Sequence, residues 1–227
     1  MNGHHIGVIA SSRQDTVTPP TWTNLISWWK MAETSGGIAY DSEGSDDGTV
    51  NDATQTSGGV VFDGTNDSID VDGTTFGVGT FTIIMRVTPS DASARRECIW
   101  GGATNALAID IFEGDTLYMG KTGATHCSPS TALNPDEENF LAIVRNGTSV
   151  RFFINDNTVE VEDWSYLSAT IHVSASTSIG EDTSGGDDDF TGTINNLCCF
   201  SDAKSDAYIE AFYNSGSYTE YEDGDPA

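Results

Sequence analysis

Positive charge is what this sequence lacks most. Nine Lys and Arg stand against 35 Asp and Glu in 227 residues, a formal net charge of −26. A field of that sign repels phosphate backbones and anionic lipid surfaces, which excludes direct nucleic-acid binding and disfavours membrane-surface attachment. Long apolar runs are missing as well. No stretch reaches the about 18 residues that a spanning helix needs, so no membrane insertion is expected. The opening residues 1–10 have no basic segment ahead of a short apolar stretch, so no secretory signal is expected, and synthesis in the cytoplasm is. Only four cysteines occur, Cys98, Cys127, Cys198 and Cys199, with no Cys-x-x-Cys pair. Neighbouring Cys198 and Cys199 on a strand would face opposite ways, so the four read as small apolar packing residues and not as a metal or redox centre.

Several chemistries have no footing. His4 and His5 fall in the opening arm, His126 in a polar stretch, and His172 alternates with Ile171 and Val173. None adjoins a nucleophile-elbow or zinc-binding pattern. Gly101-Gly102 and Gly185-Gly186 read as turns, not as phosphate-cradling loops.

What is present is a succession of short strand-like runs split by Gly, Asp, Asn, Ser and Thr. Val60–Phe62, Ser68–Val71, Phe81–Met85, Ala108–Phe112, Thr116–Met119, Phe140–Val144, Val150–Ile154, Thr158–Val161 and Ile194–Phe200 all fit. Asn146-Gly147 reads as a hairpin turn between two of them. Such spacing without helical periodicity predicts an all-β fold, a sandwich of two antiparallel sheets. One short C-terminal helix is expected, where Ile209, Phe212 and Tyr213 share a face behind a capping Ser205.

The chain divides into three parts. Residues 1–21 hold one base and one acid, so this arm is neutral and the remainder carries the whole net charge. Its Ile6, Val8 and Ile9 form an apolar patch ahead of Pro19-Pro20, and the arm reads as a docking segment or linker. Residues 22–214 read as one domain, and 215–227 as an acidic tail with four acids and no base.

The domain opens with Leu25–Gly36, followed by Asp41–Gly44 and Gly59–Ile69. Later come Phe81-Thr82-Ile83, the hairpin Arg145–Asn155, Ser178–Glu181, Phe190–Ile194 and a helix ending in Tyr213. In this order and spacing they resemble the laminin-G-like members of the concanavalin A-like lectin/glucanase superfamily over residues 22–214. The resemblance implies a jelly roll of two packed sheets, and calcium at loop edges.

Calcium takes six to eight hard oxygens, which Asp-rich turns supply. Asp41, Asp63 and Asp67 are the candidate ligands, with no EF-hand spacing among them. Sugar binding would stack an exposed aromatic on a ring face, and Trp100, Tyr118, Trp164 and Tyr166 are the candidates. Retaining glucanases of that superfamily need two carboxyls about 5–5.5 Å apart. Glu160 and Glu162 share a strand face, but no third acid continues the pattern, so no enzyme is expected.

Residues 6–12 also resemble, over a short span, the openings of tailed-virus structural proteins. Together these readings lead to a non-enzymatic attachment module on a virion surface, a capsid decoration protein or tail-fibre component of a bacteriophage. Its partners would be other virion proteins, further copies of itself, and host-surface glycans. The alternative is a calcium-dependent, extracellular glycan-binding lectin or adhesin.

Overall fold

In a computed structural model of the protein, the structure describes residues 21–71, 79–90, 96–102, 107–121, 126–129, 131–155, 158–163, 177–183 and 188–213. The arm residues Ile6, Val8 and Ile9, and the aromatics Trp164 and Tyr166, lie outside them.

The first half of the chain supplies β1 (Leu25–Trp29), β2 (Ile38–Ala39), β3 (Gly48–Asn51), β4 (Thr54–Thr56), β5 (Gly59–Asp63), β6 (Ser68–Val71), β7 (Thr80–Pro89) and β8 (Glu97–Gly102). The second supplies β9 (Leu107–Phe112), β10 (Thr116–Lys121), β11 (His126–Cys127), β12 (Asn139–Asn146), β13 (Ser149–Ile154), β14 (Thr158–Asp163), β15 (Thr177–Ile179), β16 (Thr191–Phe200) and α1 (Asp206–Tyr213). They form two eight-stranded sheets, antiparallel throughout. One runs β14-β13-β12-β7-β16-β5-β4, with β1 also paired to β16; the other runs β11-β10-β9-β8-β15-β6-β3-β2. This is the two-sheet jelly roll that the alternating runs predict, with a single short helix among the described residues.

Strand alternation builds the core between the sheets. On β7, Phe81, Ile83, Met85 and Val87 point inward to meet Trp29, Phe62, Ile109, Leu141 and Phe152. At Gly180 the packing is tight enough that a Cβ would lie 2.3 Å from the Phe62 ring, and φ there is +91°. Both constraints demand glycine.

The first sheet is apolar on its outer face too. Ile84, Phe140, Val144, Phe153, Cys198 and Phe200 form a second buried cluster there, covered by Ile209 and Phe212 of α1 and by Trp22. Helix α1 starts where expected: the Ser205 hydroxyl accepts the Tyr208 N–H at 3.2 Å, satisfying one of the free donors of the first turn. Trp22 stacks on Trp28 (5.9 Å) and Phe200 (6.3 Å) and meets Phe212 edge-on (5.1 Å). The Tyr208 hydroxyl donates to the Thr21 carbonyl at 2.9 Å. The chain therefore enters the domain pinned beneath the helix. Cys198 faces this outer cluster and Cys199 the inner core, as adjacent strand residues must.

Two local expectations are corrected. The β12–β13 turn does not centre on Asn146-Gly147: Asn146 pairs with Ser149, so the loop is Gly147-Thr148. Gly147 has φ +66°, and Thr148 is not in the positive region, the pattern of a II′ turn. The strands β8, which ends in Gly101-Gly102 where a turn is expected, and β11 are also unannounced by the sequence, as are β2, β3, β4 and β15. The last four are two to four residues long and rich in Thr, Ser, Gly and Asn, so pairing with a neighbour defines them more than intrinsic preference does.

Because Trp22 closes the outer cluster while only 3% exposed, Trp22→Ala is expected to cost about 3–5 kcal/mol. Guanidinium denaturation measures this. A loss below about 1 kcal/mol would mean that α1 covers the sheet without it.

Candidate functional site

A cleft in this domain arises from how β16 shares its partners. Along one side, β7 pairs with β16 from Gly192 to Phe200. On the other side, β5 pairs with Thr191 to Ile194 and β1 takes over only from Leu197 to Phe200. Asn195 and Asn196 fall in the gap and belong to neither partner. A bulge sits there, between Asn195 and Cys198, with Asn196 at φ 47°, a left-handed conformation that Asn tolerates better than most residues.

The gap opens into a cleft of about 450 Å³ lined by Trp28, Lys30, Arg86, Glu138, Asn195 and Asn196, with the β4–β5 turn at Ser57–Gly59 along its edge. Asn195 Nδ2 donates to Gly58 O (2.8 Å) and toward Glu138 Oε2 (3.4 Å). Its Oδ1 is buried and unpartnered among the described residues. Arg86 pairs with Glu138 at 3.7 Å, and Asn196, with its carboxamide oxygen turned toward the guanidinium, accepts from it. Trp28 borders the cleft but is buried, its ring stacked on Trp22, with the Lys30 ammonium 4.4 Å from its centroid. Such a site offers fixed planar donors and acceptors, which suit a polyhydroxylated ligand.

The second sheet presents a different outer surface. Arg96, just before β8, gathers three carboxylates. Its Nη2 donates to both oxygens of Asp110 at 3.0 Å, and its Nη1 to Asp182 and Asp188 at 2.9 Å each. Asp110 and Asp182 are buried, so this cluster ties β9 to the segment leading into β16. Burial opposes the guanidinium charge, but Asp110 and Asp182 outweigh it and raise the Arg96 pKa. Burial likewise pushes the Cys98 thiol up. Beside the cluster, the half-buried rings of Phe112 and Tyr118 sit 4.3 Å apart.

The residues singled out from the sequence scatter. Trp100 is fully buried in the inter-sheet core, 6.2 Å from Trp29, so it has no face to offer a sugar. That expectation is corrected: a bulge between Cys98 and Trp100 turns the indole inward. Tyr118 does reach a surface, on the outer face of the second sheet. Asp41 is a loop staple whose carboxylate accepts from the N–H groups of Trp28 (2.8 Å), Glu43 (3.1 Å) and Asp46 (3.3 Å). Asp67 accepts from Asp63 N at 2.6 Å, closing a separate turn, and burial pushes its carboxyl up. Among the described residues no three His, Cys, Asp or Glu side chains are grouped to hold an ion. The lining of the cleft was missed. Its one sequence signal is the Asn195-Asn196 doublet interrupting the run Ile194–Phe200.

Residues 63–210, more than half of the chain, match the family described as the concanavalin A-like lectin/glucanases superfamily. No curated protein sequence matches. Among solved structures, a Trypanosoma rangeli sialidase in complex with 2,3-difluorosialic acid superposes with a TM-score of 0.69 and 13% identity, over 85% of this chain and 33% of that one. The chain thus spans about a third of the sialidase. The binding domain of botulinum neurotoxin serotype D gives 0.66 and 13%, over 86% and 52%. Domain 4 of an extracellular arabinanase from Geobacillus stearothermophilus, in complex with arabinotriose, gives 0.58 and 14%, over 82% and 96%. At these identities the likeness is one of fold.

The Arg96 cluster generates a prediction. Burial pushes the Asp110 carboxyl up to about 6, against the pull of Arg96, from 3.8 when unfolded. Between those values the folded protein keeps a proton that the unfolded chain has released. The stability this group contributes is therefore complete below about pH 4 and lost as pH rises through 6, on the order of 2–3 kcal/mol. Asp110→Asn should remove that component. Denaturation at pH 4 and pH 7 would contradict this if both proteins change stability equally.

Proposed function

The chain belongs to the concanavalin A-like lectin/glucanase superfamily, and from that premise we propose that it is a non-enzymatic attachment module that binds a glycan in the cleft beside Asn195 and Asn196. The observation that carries this reading is the polar set at the bulge of β16. Asn195 Oδ1, buried without a partner, lacks a donor, and a sugar hydroxyl supplies one. Glu138, Asn196 and Arg86 stand around it. The same lining supports a non-enzymatic reading: Glu138 is its one carboxyl among the described residues, whereas glycoside hydrolysis needs an acid and a second carboxylate about 5–9.5 Å away. The arabinotriose complex of the arabinanase domain lends the fold a precedent for sugar binding, without assigning the sugar here.

Asn195→Ala is expected to weaken glycan binding about tenfold, the cost of one buried hydrogen bond, with the melting temperature as a control. Calorimetry on hits from a glycan array measures this. A single carboxylate cannot complete a calcium shell, so EDTA should leave affinity unchanged. Unaltered affinity in the variant, or release of reducing ends from bound oligosaccharide, would overturn the reading.

A second element of the proposal is the setting. The charge partition supports display on a larger particle, a virion surface, held by the neutral residues 1–21 while the acidic jelly roll faces outward. Two acidic surfaces repel, so docking costs least through the uncharged segment. Deleting residues 2–18 leaves Trp22 and its contacts intact. The truncated protein is expected to fold normally and to be absent from purified particles. Full incorporation would assign the contact to the jelly roll instead.

A further inference from the structure

Cations are scarce in this protein, and where they stand is informative. Among the described residues, four of the basic side chains are committed to holding the fold. Arg96 pairs with Asp110, Asp182 and Asp188. Arg145, 3% exposed, donates to Gly147 O at 3.0 Å. Arg151 pairs with Asp206 and donates to Lys204 O. Lys204, itself 6% exposed, binds Thr23 O and Asp202. Two more, Lys30 and Arg86, line the same cleft.

Lys30 stands out among them. In a chain with 35 carboxylates, its ammonium meets no carboxylate among the described residues and rests over the Trp28 ring at 4.4 Å. Arg86 shares its charge with Glu138 across 3.7 Å, longer than a good charge-assisted hydrogen bond. The lining thus carries two cations and one anion, a local excess of +1 in a molecule of net charge −26. Solvated surface acids would draw a free lysine into pairs. A cleft that keeps one unpaired beside an arginine is built to receive an anion.

We infer that the glycan bound in this cleft is acidic, its carboxylate or sulfate ester received by Lys30 and Arg86 and its hydroxyls by Asn195 Oδ1 and Glu138. This rests on the glycan-binding reading above and adds the ligand's charge class. The overall negative field does not forbid it. Screening limits that field to about 8 Å at physiological ionic strength, whereas a charge pair inside a cleft is screened far less. Both halves of the lining find a use. An inorganic anion alone would leave Asn195 Oδ1 without a donor, and a neutral sugar would leave Lys30 without a counter-charge.

The test is a glycan array printed with matched pairs: oligogalacturonides against their methyl esters, sulfated against unsulfated galactan oligosaccharides, and sialylated against asialo glycans. Calorimetry on the hits follows, with the wild type and with Lys30→Met, which keeps the stem over Trp28 and removes the charge. Binding of an acidic member at least tenfold tighter than its neutral partner, with that preference lost in Lys30→Met, is the expected result. The pairs that respond separate carboxylate from sulfate. Equal binding of acidic and neutral members, or a preference that survives Lys30→Met, overturns the inference and leaves the glycan-binding reading standing. An array with no hits at all overturns both. Lys30→Met is at a half-exposed position, and an unchanged melting temperature shows that the loss is one of charge and not of fold.

Discussion

The architecture turns on one strand with more than one neighbour to satisfy. Strand β16 pairs with β7 from Gly192 to Phe200 on one side, across a bulge between Asn195 and Cys198, but must accept β5 and then β1 on the other, and these two do not meet end to end. A strand can leave a gap in its ladder only where its backbone finds other partners or leaves the pleat. Here it does both. Asn196 donates its N–H to Lys30 O at 3.3 Å, and the bulge turns two successive carboxamides to one side. The cleft is a consequence of that geometry, which explains why its residues come from five separate stretches of the chain.

The rest of the fold decides where such an opening is tolerated. The first sheet buries both faces, the inner against its partner sheet and the outer under α1, Trp22 and Trp28. A breach under the helix would expose an apolar face to water at about 25 cal/mol per Å². The gap lies instead beyond Trp28, where the cover ends and the sheet surface turns polar at Arg86, Asn195 and Asn196. The outer face of the second sheet is polar instead: Asp70, Ser178 and Asp110 face outward from it and are bonded there. Asn51 Nδ2 donates to Asp70 at 2.9 Å, and Arg96 neutralises part of the cluster around Asp110. Breaking that cluster by removing Arg96 would strand two buried carboxylates, so its role is to hold loops together and not to bind a ligand.

Much of this was legible in the sequence because alternation is a local signal. Phe81–Met85 and Phe140–Val144 announce strands through side chains that must face a core, and Ser205 announces the helix start by its chemistry. The two sheets and the terminal helix follow from such signals. The site does not, because it depends on pairing between distant segments. Nothing local distinguishes Trp100, which a bulge turns into the core, from an aromatic on a surface. Nothing near Lys30 or Arg86 tells that β1 and β7 bring them together. Asp41 and Asp67 show the converse: in acid-rich turns their oxygens accept backbone N–H groups, and sequence alone does not separate that role from a metal ligand's. The Asn195-Asn196 doublet was a usable clue, since two carboxamides inside an apolar strand cost free energy unless something takes up their hydrogen bonds.

The central claim is that the gap in β16 is where this protein meets its ligand. The most direct measurement is an NMR titration of isotope-labelled protein with the tightest-binding oligosaccharide from the array. The side-chain amide signals of Asn195 and Asn196, the Trp28 indole N–H and the Lys30 backbone are expected to shift together and saturably. The outer face of the second sheet around Tyr118 and Asp110 should stay silent. Shifts confined to that second face, with the β16 gap unmoved, would contradict the account.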